Sequence, residues 1–141
     1  MPFRILVADD DENVRKSHKF AIDAASELLK DKLTVVESDD SVDALAKIKS
    51  ERFDLIIVDN DFKDNEIPGH LPGIALLQLA RKEGLNRETP IVFCSAETFE
   101  TLKPMVEKFN AVHFPKTGYD IDQAARLFVE QLTKPRSDRA Q

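Results

Sequence analysis

The amino-acid sequence predicts one α/β domain, a doubly wound sheet of five parallel strands with helices on both faces. Two observations indicate this class: five short apolar runs, mostly β-branched, and helical periodicity in the interval after each run. The predicted strands are residues 3–7, 33–36, 55–58, 91–94 and 112–114. Most of them are apolar on both faces, which is typical of parallel strands that are covered on both sides.

The intervals after these strands carry apolar residues at helical spacing. The residues that mark the five predicted helices are, in order, Val14, Phe20, Ile22, Ala25, Leu28 and Leu29; Val42, Leu45 and Ile48; Ile74, Leu77 and Leu79; Leu102, Met105, Val106 and Phe109; and Ile121, Ala124, Leu127, Phe128 and Leu132. Because strand and helix alternate, right-handed crossovers should place the helices on both faces of one sheet. We assign residues 1–133 to the domain. Residues 134–141, which lack apolar periodicity, are predicted to form a tail or the start of a linker.

Composition and charge argue against several classes of protein. Lys and Arg total 20 and Asp and Glu total 26, so the net charge is −6, whereas surfaces that bind nucleic acid are usually basic. Cys94 is the single cysteine, so no intramolecular disulfide can form. No apolar run approaches the roughly 18 residues that a membrane span needs, and the N-terminal run is too short for a signal peptide. We therefore expect a cytoplasmic protein without membrane or direct nucleic-acid binding.

Polar side chains follow four of the five predicted strands. Residues 9–11, all Asp, come after the first strand, Asp59 after the third, Ser95 after the fourth and Lys116 after the fifth. In a doubly wound sheet, ligands bind beyond the carboxyl ends of the strands. The sequence therefore predicts a polar site at this edge. Residues 37–40, after the second strand, receive no role.

The chemistry of this predicted site favours phosphoryl transfer. Asp9, Asp10 and Asp59 would repel one another, and one or more would retain its proton unless a cation were bound. Mg²⁺ prefers oxygen ligands and retains waters, so it suits such a cluster. Lys116 is placed to balance a phosphoryl oxygen, and Ser95 to donate a hydrogen bond to another. A carboxylate between a metal ion and an ammonium group is a plausible nucleophile for phosphoryl transfer.

Four segments resemble the successive motifs of the response-regulator receiver family: ILVADDDENVR, DLIIVDNDF, PIVFCSA and HFPK. Their order and spacing cover roughly residues 3–132. The resemblance implies a flavodoxin-like (βα)5 fold and a role in a two-component phosphorelay. In that role the chain would accept a phosphoryl group from a histidine kinase or a histidine phosphotransfer protein. It would catalyse its own phosphorylation and dephosphorylation without a separate substrate and switch an output surface, whose target, an effector or a second copy, stays open.

The resemblance also implies a role for individual residues. By it, Asp59 is the phosphoacceptor, and the Mg²⁺ ligands are Asp9, Asp10, Asp59 and the backbone carbonyl of Asp61. Ser95 is the switch hydroxyl, Lys116 is the invariant-type lysine of the family, and His113 occupies the position of the switch aromatic residue.

The chain departs from the family pattern at three places. Thr117 replaces the proline that usually follows the lysine in a cis bond. A cis bond before a non-proline residue costs about 2.5–4 kcal/mol, which favours the trans form here. His113 replaces the usual Tyr or Phe. The loop of residues 60–72 is longer than usual; we expect a partial lid over the site, anchored by Phe62, Ile67 and Leu71, with kinase docking as the alternative.

Simpler interpretations of these residues stand beside the functional ones. Residues 9–11 could cap the first helix, and Lys116 could be a solvated loop residue. Cys94 is expected in the core, and His18, beside polar neighbours in the sequence, is expected to be exposed.

Two alternative functions also stay open. The first is a haloacid-dehalogenase-like phosphatase, with Asp59 as nucleophile and Asp61 as general acid–base. In that family, however, the second acidic pair should follow the lysine, whereas Asp9 and Asp10 precede it. The second is a receiver-like module that binds partners without phosphorylation.

Overall fold

The computed structural model describes residues 3–60, 62, 69, 71–95 and 99–135, with the backbone alone for residues 99–102. Strands and helices alternate strictly along these ranges. The elements are β1 (Phe3–Ala8), α1 (Glu12–Leu29), β2 (Leu33–Ser38), α2 (Ser41–Ser50), β3 (Leu55–Asp59), α3 (Gly73–Lys82), β4 (Ile91–Ser95), α4 (Phe99–Lys108), β5 (Val112–Pro115) and α5 (Ile121–Thr133). The predicted order of elements is therefore confirmed, and each strand extends one or two residues beyond its predicted carboxyl end.

The strands form one parallel sheet in the order β2-β1-β3-β4-β5. The two strands β3 and β4 are buried along their whole length, because helices cover both faces. One core cluster includes Ile22 of α1 and Phe128 of α5. The other includes Ile48 of α2, Leu77 of α3 and Val106 of α4. The predicted doubly wound, flavodoxin-like architecture is confirmed, and Cys94 lies in the core as expected.

Aspartate residues cap the N-termini of three helices. The Asp11, Asp40 and Asp120 side chains accept backbone hydrogen bonds from residues in the first turns of α1, α2 and α5, at 2.7–3.0 Å. Such caps satisfy amide groups that have no partner within the helix. The capping interpretation of residues 9–11 is therefore correct for Asp11.

A buried polar network lies at the opposite edge of the sheet, before the strands begin. Asn86 is 0% exposed. Its Nδ2 donates hydrogen bonds to the carbonyl oxygens of Ile48 and Glu51, and its Oδ1 accepts one from the backbone N–H of Phe53. The network joins α2 and the segment before β3 to the segment before β4, which stabilises the sheet far from the polar edge. In the part of the chain that the structure describes, no helix is long and apolar enough to span a membrane.

Candidate functional site

The carboxylates of Asp9, Asp10 and Asp59 meet at the carboxyl edge of the sheet. Strands β1 and β3 are neighbours, and Ala8 pairs with Val58, so the next residues, Asp9 and Asp59, lie side by side. One oxygen atom from each of the three carboxylates can be chosen so that all lie within 4.8 Å of one another. Asp9 and Asp59 are each 1% exposed, whereas Asp10 is half-buried.

Lys116 brings a positive charge between two of these carboxylates. Its Nζ lies 3.3 Å from Oδ2 of Asp9 and forms an ion pair with Oδ1 of Asp59. Its backbone N–H donates a 3.1 Å hydrogen bond to the carbonyl oxygen of Ser95, which ties the end of β5 to the end of β4. Burial opposes the charged form of Lys116, but the hydrogen bond to Asp59 and the charges of both aspartates outweigh it, and its pKa is raised.

Crowding and burial disturb the ionisation of Asp9. Burial, followed by the charge of Asp59, raises the pKa of Asp9 to about 6, although the N–H of Asp11 and Lys116 act against the rise. The cluster of three carboxylates therefore has one lysine, paired with Asp9 and Asp59, which balances a single negative charge. A divalent cation with oxygen ligands fits this arrangement both in charge and in donor chemistry, and Mg²⁺ is such a cation.

The other predicted site residues lie on the neighbouring strands. Ser95 ends β4 and is buried, one residue beyond Cys94, which is the β4 partner of Asp59. His113 lies in β5 opposite Phe93 of β4 and is half-buried. Burial lowers the pKa of His113. Ser95 therefore lies at the same edge of the sheet as the acidic cluster. His113 lies two residues before the end of β5, further from that edge.

Comparison with known proteins agrees with this geometry. The family model described as the response regulator receiver domain matches residues 5–116. This chain belongs to the response regulator receiver family. A comparison with curated proteins found no match.

Solved receiver structures share the fold. One is a CheY-like receiver domain protein from Methanospirillum hungatei, with 21% identity, a TM-score of 0.76 and coverage of 94% of each chain. Another is the receiver domain of a Francisella response regulator, with 23% identity, a TM-score of 0.72 and coverage of 99% of each chain. A third is the chemotaxis response regulator CheY4 of Vibrio cholerae, with 21% identity and a TM-score of 0.74. The alignment covers 94% of this chain and 100% of CheY4.

Gly73 is a site residue of this receiver domain that sequence reasoning missed. A Cβ atom at this position would lie 2.1 Å from the carbonyl oxygen of Asp59 and 2.7 Å from Cα of Asn60. The backbone N–H of Gly73 donates to the carbonyl oxygen of Asn60 at 3.3 Å. The first turn of α3 can therefore approach the backbone at Asp59 only because this residue has no side chain. A glycine at a predicted helix start, directly after Pro72, was the available signal.

Arg15 and Glu37 form a second support of the receiver site that the sequence did not reveal. Nη1 of Arg15 donates a 2.7 Å hydrogen bond to the carbonyl oxygen of Asp9, and its Nε donates to Oε1 of Glu37 at 3.1 Å. Lys19 donates to the other carboxylate oxygen of Glu37 at 3.2 Å. Burial opposes the charge of Glu37, but the hydrogen bonds from Lys19 and Arg15, together with the charges of these two residues, lower its pKa. The end of β2 thus positions the backbone of Asp9.

His18 corrects one of the sequence-based predictions. It was expected to be exposed, but it is 1% exposed. Its Nδ1 shares a 2.8 Å hydrogen bond with the hydroxyl of Tyr119. The prediction relied on the polar neighbours Ser17 and Lys19, which point to other faces of α1. Helical spacing places His18 on the same face as the buried residues Ala21, Ile22 and Ala25, and this was the signal that could have found it.

Several predictions fall on residues outside the described ranges. These are the metal-binding carbonyl of Asp61, the loop anchor Ile67 and residues 136–141 of the tail. The two other predicted loop anchors are described: Phe62 is 7% exposed and Leu71 is partly buried, and both pack on the core cluster that contains Leu77. No peptide bond within the described ranges is cis, so the bond between Lys116 and Thr117 is trans.

Proposed function

We propose that this receiver domain accepts a phosphoryl group on Asp59 and transmits the resulting change to an output surface. The observation that carries the proposal is the position of Lys116, which pairs with Asp59 and lies 3.3 Å from Asp9. The lysine therefore stands where the negative charge of a phosphoryl group on Asp59 would need compensation. The family match supports the same assignment.

The proposed reaction uses the carboxylate of Asp59 as the nucleophile. One of its oxygens attacks phosphorus, the bond between phosphorus and the donor nitrogen of a phosphohistidine breaks, and the electron pair leaves with that nitrogen. Lys116 balances one oxygen of the group, and the hydroxyl of Ser95 donates a hydrogen bond to another. Dephosphorylation returns Asp59 to the free carboxylate: water attacks phosphorus, the bond between phosphorus and the Asp59 oxygen breaks, and inorganic phosphate leaves.

The acidic cluster would hold the metal ion of this reaction. Asp9, Asp10 and Asp59 supply carboxylate oxygens, and the backbone carbonyl of Asp61 is the further ligand that the family resemblance implies. Mg²⁺ bound there would neutralise charge that develops on the phosphoryl oxygens. Arg15 holds the backbone of Asp9 in place through its carbonyl oxygen.

The proposed donors and targets follow from the family. A histidine kinase or a histidine phosphotransfer protein supplies the phosphoryl group, and the domain turns over no separate substrate. We expect a cytoplasmic location and no direct nucleic-acid binding. After phosphorylation, Ser95 turns toward the phosphoryl oxygens and His113 moves into the space released. The surface formed by α4, β5 and α5 then changes shape and forms the output.

Intact-mass measurement after incubation with acetyl phosphate and Mg²⁺ tests the proposal. Wild type should gain the mass of one phosphoryl group, and Asp59→Asn should gain none. Asp23→Asn, which changes an exposed acidic residue of α1, is the matched control and should behave as wild type. A mass increase that persists in Asp59→Asn would refute the assignment. No increase in wild type would favour the non-phosphorylated binding module, and steady turnover of a generic phosphate ester would favour the phosphatase.

A further inference from the structure

The loop of residues 116–119, here called the Lys116 loop, is held from two sides. At its start, the N–H of Lys116 donates to the carbonyl oxygen of Ser95. At its end, the hydroxyl of Tyr119 shares the 2.8 Å hydrogen bond with Nδ1 of His18. Between these points, Thr117 and Gly118 are exposed, and Gly118 has a φ of +69° that side chains rarely permit. The middle of the loop therefore contributes little to fixing the position of Lys116.

The His18–Tyr119 contact is buried and geometrically specific. The two rings meet edge to face with centroids 5.2 Å apart, and Tyr119 makes a second edge-to-face contact with Phe114, at 5.3 Å. His18 also lies near Phe128 of α5, with centroids 6.4 Å apart. Phe114 precedes Lys116 by two residues and Tyr119 follows it by three. The aromatic cluster therefore holds the chain on both sides of Lys116.

Elsewhere the Lys116 loop does not pack tightly on α1. A cavity of about 150 Å³ lies between them, lined by Asn13, Val14, Ser17, Lys116 and Tyr119. The contact between His18 and Tyr119 thus provides a direct polar link from the middle of α1 to this loop. Neither His18 nor Tyr119 has a predicted function, and neither takes part in the phosphoryl transfer proposed above.

We propose that His18 and Tyr119 are positioning residues that hold the Lys116 loop so that the ammonium group of Lys116 meets the phosphoryl group on Asp59. The inference rests on the proposed function. In the proposed function Lys116 contacts the phosphoryl group and is not a ligand of the metal. Loss of the contact between His18 and Tyr119 should therefore affect phosphoryl uptake more than Mg²⁺ binding. A buried hydrogen bond that served stability alone would not separate these two properties.

Three variants separate positioning from stability. Tyr119→Phe removes the hydroxyl and retains the ring, His18→Phe retains a ring of similar size, and the double variant replaces both polar partners. Ser26→Ala is the matched control, because it removes another partly buried side-chain hydrogen bond of α1, the 2.6 Å bond to the carbonyl oxygen of Asp31. Each protein is measured for phosphoryl uptake from acetyl phosphate, Mg²⁺ affinity, unfolding in urea and hydrogen exchange at the Lys116 amide.

Tyr119→Phe should slow phosphoryl uptake by about three- to tenfold, the effect of one lost hydrogen bond on a rate. Its Mg²⁺ affinity should stay as in wild type, and exchange at the Lys116 amide should accelerate. The double variant should recover stability, since apolar replacement of both partners removes the unpaired polar group, but uptake should stay slow. Ser26→Ala should match wild type in uptake. In a Lys116→Met background, Tyr119→Phe should cause no further slowing.

Two results would overturn the inference. One is an uptake rate that recovers together with stability in the double variant, since the contact would then be purely structural. The other is the same slowing by Tyr119→Phe with and without Lys116. If wild type takes up no phosphoryl group, the proposed function fails, and hydrogen exchange still decides the inference: an unchanged Lys116 amide in Tyr119→Phe would refute the anchoring.

Discussion

Gly73 and Asp59 touch backbone to backbone: a Cβ atom on Gly73 would lie 2.1 Å from the carbonyl oxygen of Asp59. Two elements that are separated in sequence by residues 60–72 therefore meet at the proposed phosphoacceptor. The contact makes the start of α3 part of the support for Asp59. It also makes position 73 a sensitive place to disturb the site without changing any polar group.

Gly73→Ala should destabilise the domain and displace the backbone of Asp59. The clash involves backbone atoms that cannot rotate away, so we expect a loss of about 1–3 kcal/mol in the free energy of unfolding. Phosphoryl uptake should slow as well. Gly118→Ala is the comparison: its Cβ would meet no atom within 4 Å, and it tests backbone strain alone at a φ of +69°. Urea unfolding measures both, and equal uptake in Gly73→Ala and wild type would contradict the supporting role.

Removal of either carboxylate beside the acceptor should weaken Mg²⁺ binding. Asp9→Asn and Asp10→Asn should each raise the dissociation constant by about tenfold or more, since even outer supports of metal sites have effects of this size. Calorimetric titration with Mg²⁺ provides the measurement. Asp39→Asn, an exposed acidic residue at the same edge of the sheet, should leave the affinity unchanged. Unaltered affinity in both site variants would mean that the metal binds elsewhere.

Asp9→Asn should also stabilise the metal-free protein at alkaline pH. The pKa of Asp9 is raised to about 6 by burial and by the charge of Asp59, so the folded state binds more protons than the unfolded state between about pH 3.8 and pH 6. The favourable contribution of protonated Asp9 to the free energy of unfolding is fully present below about pH 3.8. It is lost as the pH rises through 6, and the loss is about 3 kcal/mol at most. Thermal unfolding in chelator at about pH 8 should give a higher Tm for Asp9→Asn than for wild type.

The contribution of His18 to stability should decrease at mildly acidic pH. Burial, with a smaller contribution from the charge of Lys116, lowers the pKa of His18 to about 4. A histidine in the unfolded chain has a pKa of about 6.5, so between these values the unfolded state binds more protons. The contribution of His18 to the free energy of unfolding should be fully present above about pH 6.5 and decrease toward pH 4, by about 3 kcal/mol at most.

Comparison with His18→Gln isolates this contribution, since Asp9 titrates in both proteins and acts in the opposite direction. Urea unfolding at about pH 7.5 and about pH 4.5 should show a larger loss of stability in wild type than in the variant. Equal losses would mean that His18 does not change its protonation in this range. The half-buried His113, whose pKa is also lowered by burial, is present in both proteins and cancels in the comparison.

Asn86→Ala should reduce stability without affecting the chemistry of the acidic edge. The substitution removes both donors and the acceptor of a fully buried side chain and leaves the N–H of Phe53 without its partner. We expect a loss of about 2–4 kcal/mol in the free energy of unfolding. Under conditions where the variant is folded, Mg²⁺ affinity and phosphoryl uptake should equal those of wild type. A large change in either would show that the two edges of the sheet are coupled.

The sequence by itself determined the order of the elements and the set of residues at the polar edge. Buried parallel strands have to be apolar on both faces, and helices between them have to carry an apolar stripe, so both leave a local pattern. The carboxyl ends of parallel strands necessarily share one edge, so Asp9, Asp59 and Lys116 could be grouped before any coordinates. Their roles in phosphoryl transfer stay predictions.

Only the tertiary structure decided which groups touch across elements. The contact of Gly73 with Asp59, the bond from Arg15 to the carbonyl of Asp9 and the burial of His18 against Tyr119 depend on how closely and at what angle separate elements pack. Spacing along the chain does not give the distances between separate elements. The polar residues adjacent to His18, Ser17 and Lys19, led to the wrong prediction that His18 is exposed. Packing of α1 against α5 and against Tyr119 removed that histidine from water.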